Sequence, residues 1–325
     1  MMTSVCLPGG AGWAPMCAHG EWGALYDGML ARCARCGLVV TAAAPDFDYA
    51  RNYFTGGAGG GYDFDGDFAK DHDAARFAEE LDWLERQGLR GTLLDIGCAT
   101  GTYLVMARAR GWDVSGVELA DFARETAARR TGARVVASIA ALGRESVADV
   151  VTLHHVLEHV HEPVAFLRDE VGPRVRRRLL IEVPNFASLL ARAEGRRWRD
   201  LRPEQHVCHY EPDSLRRVVT AAGFDVVRVY TRWQPLWSLR AARELVSALP
   251  ALTRSPGRGP ADAKTLGTDG RAHEAARVPY QRPAGLRLSL VRATRLAMRP
   301  LVRTLEKGQL AERLVIEAAP PGMAR

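Results

Sequence analysis

The chain has 325 residues, 47% of them hydrophobic and 25% charged. These are ordinary globular values, enough for one well-cored domain with appendages, and they exclude a fibrous or wholly disordered chain. No stretch reaches the 18 or so uncharged apolar residues of a membrane span, and no basic segment followed by an apolar core marks a secretory signal, so a cytoplasmic protein is expected. The net charge of +6 is uneven: from residue 231 onward 17 Lys and Arg face 7 Asp and Glu, leaving 27 against 31 before it. A nucleic-acid groove would more naturally surround the active site than a tail, so no nucleic-acid partner is expected.

In chain order, residues 1–45 are turn-rich and hold four of the six cysteines, Cys6, Cys17, Cys33 and Cys36. Residues 46–90 pass from aromatics and a glycine run at 56–61 into a helical pattern with Phe77, Leu81 and Leu84 on one face. Residues 91–230 alternate strand and helix signals, which implies a parallel sheet with crossovers. Strands are expected at Thr92–Ile96, Val114–Glu118, Arg134–Ala137, Asp149–Leu153, Leu179–Val183 and Phe224–Tyr230. The last helix of this region runs from near Pro212 to Gly223, a good C-cap. Residues 231–325 hold a Pro-, Gly- and charge-rich loop at 252–283, a helical stretch from Leu286 to Arg303, and a last strand at Leu314–Ala318. That strand is expected to complete the sheet beside Phe224–Tyr230.

Within the alternating region, Leu93-Leu94-Asp95-Ile96-Gly97-Cys98-Ala99-Thr100-Gly101 reads as an apolar strand, an acid at its end and a small-residue turn before a helix. Small residues let the backbone approach a ligand, and a helix N-terminus offers free N–H groups. Dinucleotide enzymes place G-x-G-x-x-G here for a pyrophosphate. The acid would repel that group but suits a ligand carrying an ammonium and a sulfonium. The second strand ends at Glu118, placed to accept hydrogen bonds from ribose hydroxyls, with Leu119 beside it. Ser138-Ile139 follow the third strand, where an adenine edge would sit, and the fourth ends at His154-His155.

This ordered set resembles class I S-adenosylmethionine-dependent methyltransferases. The resemblance implies an α/β fold, a Rossmann-like doubly wound, seven-stranded, mostly parallel sheet with helices on both faces. It implies S-adenosylmethionine as cofactor, held by Asp95, Gly97, Cys98, Gly101, Glu118, Leu119, Ser138, Ile139 and His154. Ala99 departs from the family, which usually carries a middle glycine there.

Methyl transfer needs an oriented nucleophile and sometimes a base, and histidine is the natural base near neutral pH. Histidines follow the fourth strand, at Leu157-Glu158-His159, and recur in the run from Trp198 to Gln205-His206 and on to His209-Tyr210. With Pro163 and Pro184-Asn185, these are similar to a bacterial subgroup that often carries an N-terminal zinc-binding segment, and over residues 1–230 to the front of deoxysugar C-methyltransferases. The similarity implies catalytic roles for His206, His159 and Gln205, and substrate contacts from Tyr53 and Tyr62; Trp198 is a further substrate candidate. Gln205 stands where those enzymes carry an acid, and their large C-terminal domain has no counterpart here.

Cys33-Ala34-Arg35-Cys36-Gly37 has the spacing of a zinc knuckle, and Cys6 and Cys17 would complete a structural zinc site, with His19 as a substitute. Arg292, Arg295, Arg299 and Arg303 share one face of the C-terminal helical stretch, which permits weak contact with an anionic membrane surface. The place after the fourth strand reads His154-His155-Val156-Leu157 rather than the [N/D]-P-P-[Y/F/W] of enzymes that methylate adenine or amide nitrogen. The expected function is methylation of an O or C nucleophile on a small molecule, a secondary metabolite, sugar or glycan precursor. An RNA or protein methyltransferase, or a cofactor-binding scaffold without turnover, are the alternatives.

Overall fold

Two apolar runs, Leu93-Leu94 and Val150–Leu153, are buried on both faces, as strands inside a parallel sheet must be, and the rest of the molecule is arranged around them. In the computed structural model the described residues are 21–43, 68–143, 145–233, 300 and 303–323, with side chains from residue 76 of the first helix onward. All of them belong to one compact unit. Cys6, Cys17, His19, Tyr53, Tyr62, the 252–283 loop and nearly all of the stretch from Leu286 to Arg303 lie outside them.

The N-terminal strands are β1 (Trp22–Leu25), β2 (Leu30–Cys33) and β3 (Val39–Thr41). Helix α1 (Phe68–Arg86) leads to β4 (Thr92–Ile96), α2 (Thr102–Ala109), β5 (Asp113–Val117), α3 (Asp121–Thr131) and β6 (Arg134–Val136). Then come β7 (Ala148–His154), a helical segment of short turns over residues 157–174, β8 (Val175–Pro184), α4 (Leu189–Glu194) and β9 (Cys208–His209). The unit closes with α5 (Pro212–Ala221), β10 (Asp225–Arg232) and β11 (Arg313–Ala319).

Seven strands form the main sheet in the order β10-β11-β8-β7-β4-β5-β6. From β8 to β6 all pairings are parallel, while β11 runs antiparallel to both β8 and β10. The sheet is Rossmann-like and doubly wound, and the last strand lies beside β10 as expected.

Side-chain alternation gives the sheet two apolar faces. On one, Leu93, Val150, Leu180 and Val315 meet Phe77, Leu81 and Leu84 of α1 and Tyr103, Leu104 and Ala107 of α2. On the other, Leu94, Ile96, Val151, Leu153, Ile181 and Ile316 meet Leu215, Val218 and Val219 of α5. The same cluster takes in Ala31, Leu38 and Val40 from the N-terminal strands.

The N-terminal strands also join the segment before α5. β3 pairs with β9 to make a four-stranded antiparallel sheet, Val39 opposite His209 and Val40 opposite Cys208. Strands of three or four residues cannot bury an apolar face alone, so they are built into the main core rather than standing apart.

Candidate active site

Strand order reverses at β4, which has β5 on one side and β7 on the other. Ligands of doubly wound sheets bind over the carboxyl ends beside such a reversal. There the chain leaves β4 through a left-handed turn, with φ +78° at Gly97, +47° at Ala99 and +80° at Gly101. A Cβ on Gly97 would lie 2.4 Å from Val156 Cγ2, and one on Gly101 2.9 Å from Ala127 Cβ. The glycines are therefore required twice, by backbone conformation and by close packing. Cys98 is 4% exposed, and a Cβ on Gly116 would stand 2.7 Å from its Sγ, so β5 needs a glycine where the thiol seats. Helix α2 then starts with no side-chain cap, leaving first-turn N–H groups for a ligand.

Glu118 follows β5 and binds the turn back to the sheet: its Oε2 accepts the Ala99 N–H and its Oε1 the Ala120 N–H, both at 2.9 Å. Burial, with Asp95 nearby, raises its pKa against the pull of those N–H groups. Each carboxylate oxygen keeps a second lone pair, the capacity a ribose diol would use. Beside it Leu119 and Phe122 are 56% and 51% exposed, an apolar edge where α3 begins, with Ile139 buried after β6. Phe122 was absent from the sequence expectation, although its place three residues after Leu119 at a helix start is a readable signal. The loop, the acid and the apolar edge fit S-adenosylmethionine.

Beneath the turn lies a buried ionic network. Asp95 Oδ1 accepts from Thr152 Oγ1 at 2.8 Å and lies 3.5 Å from His154 Nδ1, while His154 Nε2 meets Glu80 Oε1 at 3.0 Å. Burial would lower His154, but Glu80 and Asp95 outweigh it and raise its pKa to about 10. Burial would likewise raise Glu80, yet His154 and Arg232 hold it low. At the end of β8, Glu182 pairs with Arg76 and with His155 Nε2 at 3.3 Å. Burial notwithstanding, those cations keep Glu182 well below the usual carboxylate range. His154 is thus an imidazolium between two carboxylates, a charged strut rather than a base.

The other candidate histidines lie after β7 and in the run before β9. His155, a bulky residue held at φ +58°, directs Nδ1 to Glu158 Oε1 at 3.0 Å. His159 Nδ1 donates to the Gln205 carbonyl at 3.0 Å and His206 Nδ1 to the Asp200 carbonyl at 2.9 Å. A carbonyl can only accept, so both rings carry the proton on Nδ1 and, when neutral, the lone pair on Nε2. The rings meet edge to face with centroids 4.8 Å apart. Burial, then neighbouring His159, His209 and Arg202, pushes His206 well below its usual value, and burial lowers His159 too. Gln205 lends its backbone carbonyl to His159, while its side-chain oxygen accepts from Arg202 at 3.4 Å. Arg202 is itself at φ +38°. Strained non-glycine residues concentrate where the surrounding structure over-determines them, often at functional sites.

Trp198 is 4% exposed and packs with Phe186, Leu30, Val39 and Leu201. Ser138 is exposed after β6, where its Oγ accepts from Ala141 N–H at 3.3 Å. Cys33 ends β2, and Gly37, at φ +74°, donates its N–H to the Cys33 carbonyl at 3.0 Å, closing a tight turn around Cys36.

Residues 70–229 match the family model of a methyltransferase domain. No curated protein matches the chain. Among solved structures, the chain is similar to magnesium protoporphyrin IX methyltransferase from Synechocystis PCC 6803, at 19% identity over 50% of this chain and 78% of that one, TM-score 0.42. A SAM-dependent methyltransferase from Archaeoglobus fulgidus shares 19% identity over 75% of this chain and 94% of its own, TM-score 0.43. A possible histamine N-methyltransferase from Thermotoga maritima shares 14% over 75% and 88%, TM-score 0.42. The family match identifies residues 70–229, which hold the turn and the acid, as a methyltransferase domain, whose sheet is completed by β11 from outside the matched residues.

Proposed function

We propose that the chain transfers a methyl group to an oxygen or carbon nucleophile of a small molecule, a secondary metabolite, sugar or glycan precursor, in the cytoplasm. The observation that carries this reading is the pair of neutral histidines His159 and His206, whose rings meet edge to face 4.8 Å apart with the proton of each held on Nδ1 by a carbonyl. S-adenosylmethionine, when bound, supplies an electrophilic methyl on a sulfonium. Asp95 and Glu118 hold and orient it, and His206 or His159 accepts the acceptor's proton at Nε2. Gln205 positions His159 through its carbonyl. His154, already charged, is unfit for that task. Tyr53 and Tyr62 are assigned to the acceptor, Cys33 and Cys36 with Cys6 and Cys17 to a structural zinc, and the basic C-terminal stretch to weak membrane-surface contact rather than nucleic acid.

The test is turnover of matched variants, read as S-adenosylhomocysteine formed with small hydroxylated acceptors. His206→Ala is expected to lower turnover by about 10²–10⁴-fold with cofactor affinity nearly intact. If His206→Ala and His159→Ala both keep near-native rates, transfer proceeds by proximity alone and the base assignment fails.

A further inference from the structure

We infer that Glu158, His159 and His206 form a binding site for one divalent first-row transition-metal ion. Each offers a ligand atom, and the three atoms lie within 4.8 Å of one another. Side-chain shifts of less than about 1 Å bring such atoms to the roughly 2.0–2.2 Å that imidazole and carboxylate keep from zinc.

Two independent features point to an ion. The first is tautomeric: both Nδ1–H groups are held by carbonyls, of Gln205 and Asp200, so that in the neutral rings Nε2 is the atom with a lone pair to give a ligand. Metal-binding histidines almost always hold their second ring N–H on a carbonyl or carboxylate, because this fixes ring orientation. The second is a buried carboxylate oxygen. Glu158 is 1% exposed, its Oε1 takes His155 Nδ1–H, and its Oε2 has no hydrogen-bond partner. A buried charged oxygen left unpaired is costly, and a bound ion is one of the few things that resolves it. The backbone holds the two segments together, since Val207 N–H donates to the Glu158 carbonyl at 2.8 Å.

His209 is excluded from the set at Nε2. The Thr41 hydroxyl gives its proton to the His206 carbonyl at 2.6 Å, so at 3.0 Å from His209 Nε2 it can only accept. Arg202 is the cation beside the site, and His155 stands between Glu158 and Glu182. Glu158 and, behind His155, Glu182 supply the opposing charge. Two imidazoles and one carboxylate suit zinc, iron(II), cobalt or manganese rather than magnesium or calcium, which take oxygen. Three protein ligands would leave an open position, unlike a four-thiolate site. With an ion bound, the Nε2 atoms of His159 and His206 are ligands and not proton acceptors, so the base role in the proposed function belongs to the metal-free chain, and the test of metal binding needs no acceptor.

The experiment uses the full chain, stripped with a chelator, dialysed and titrated with Co²⁺. In a Cys33→Ser variant, which takes the cysteine site out of the titration, one equivalent is expected to bring visible d–d bands without the near-ultraviolet sulfur-to-cobalt band of thiolate ligands. Glu158→Gln and His206→Ala should each weaken this binding at least about tenfold, while Cys33→Ser leaves the d–d bands in place. Circular dichroism and S-adenosylmethionine calorimetry check that each variant is folded. Because uptake is read without methyl transfer, an inactive acceptor panel leaves it standing. Native chain that takes up no Co²⁺ with nitrogen–oxygen bands, or a folded Glu158→Gln that binds as the native chain does, overturns it.

Discussion

Ala99 occupies the left-handed region at φ +47° while its N–H is held by Glu118 Oε2 at 2.9 Å. An L-residue there costs roughly 1–2 kcal/mol, and the Glu118 bond keeps it from relaxing. Ala99→Gly removes that strain but loosens the unfolded chain, which returns about 0.4–1 kcal/mol. A net gain of about 0.5–1 kcal/mol in urea denaturation is therefore expected. Ala99→Val, β-branched at positive φ, should lose more than 1 kcal/mol or so. Stabilities that fail to fall in the order Gly, Ala, Val would remove strain from the account of this turn. At the same scale, the buried acids were legible where they were overlooked. Glu80 falls on the apolar stripe of Phe77, Leu81 and Leu84, and Glu182 interrupts the run Leu179–Val183. A carboxylate at a core position implies a partner, though the sequence does not name it. His154, Arg76 and His155 come from other elements, and only the fold brings them in.

Among the elements, the strands of the main sheet were readable because each is an apolar, β-branched run bounded by turn residues. Strand β9 was not. It has two residues, its partner β3 has three, and neither carries a periodic signal; the pairing is set by the whole fold. Its consequence is chemical as well as architectural. His209, at the β9 end of the pair, donates Nε2–H to Thr41 and is buried with its pKa lowered by burial to about 3. A depressed folded value means that stability is present above the unfolded pKa of about 6.5 and drains away as pH falls toward 3, since the unfolded chain binds the proton first. One such group changes stability by up to about 1.4 kcal/mol per pH unit. His209→Gln keeps an N–H donor and discards the titration. Between pH 7 and pH 5 it should lose about 2 kcal/mol less than the native chain. Parallel pH profiles for the two proteins would show that His209 does not set the acid limit of the sheet.

At the scale of the molecule, the methyltransferase match ends at residue 229, yet the sheet does not. Strand β11 comes from beyond residue 312 and is inserted between β8 and β10, with all seven of its residues buried. Leu314 and Ile316 fill one face and Val315 the other. Glu317 joins Arg178 at 3.0 Å and Arg228 at 2.7 Å, and accepts from Trp83 Nε1 at 3.1 Å. Asn185, just past β8, donates to the carbonyls of Gln309 and Ala311 at 3.0 and 2.7 Å. Removing residues 310–325 would strip two strand edges of their partner and leave three arginine and tryptophan donors without their carboxylate. Burial of each large aliphatic side chain is worth about 1.5–3 kcal/mol, so losing Leu314, Val315 and Ile316 alone rivals the 5–15 kcal/mol that holds a typical domain folded. The truncated chain keeps Asp95, Gly97, Gly101 and Glu118, every residue assigned to the cofactor turn. It is nevertheless expected to aggregate through the exposed edges and to bind no S-adenosylmethionine in calorimetry. A soluble truncated chain that binds the cofactor with native affinity would mean that the matched segment folds by itself and that β11 is an ornament to it.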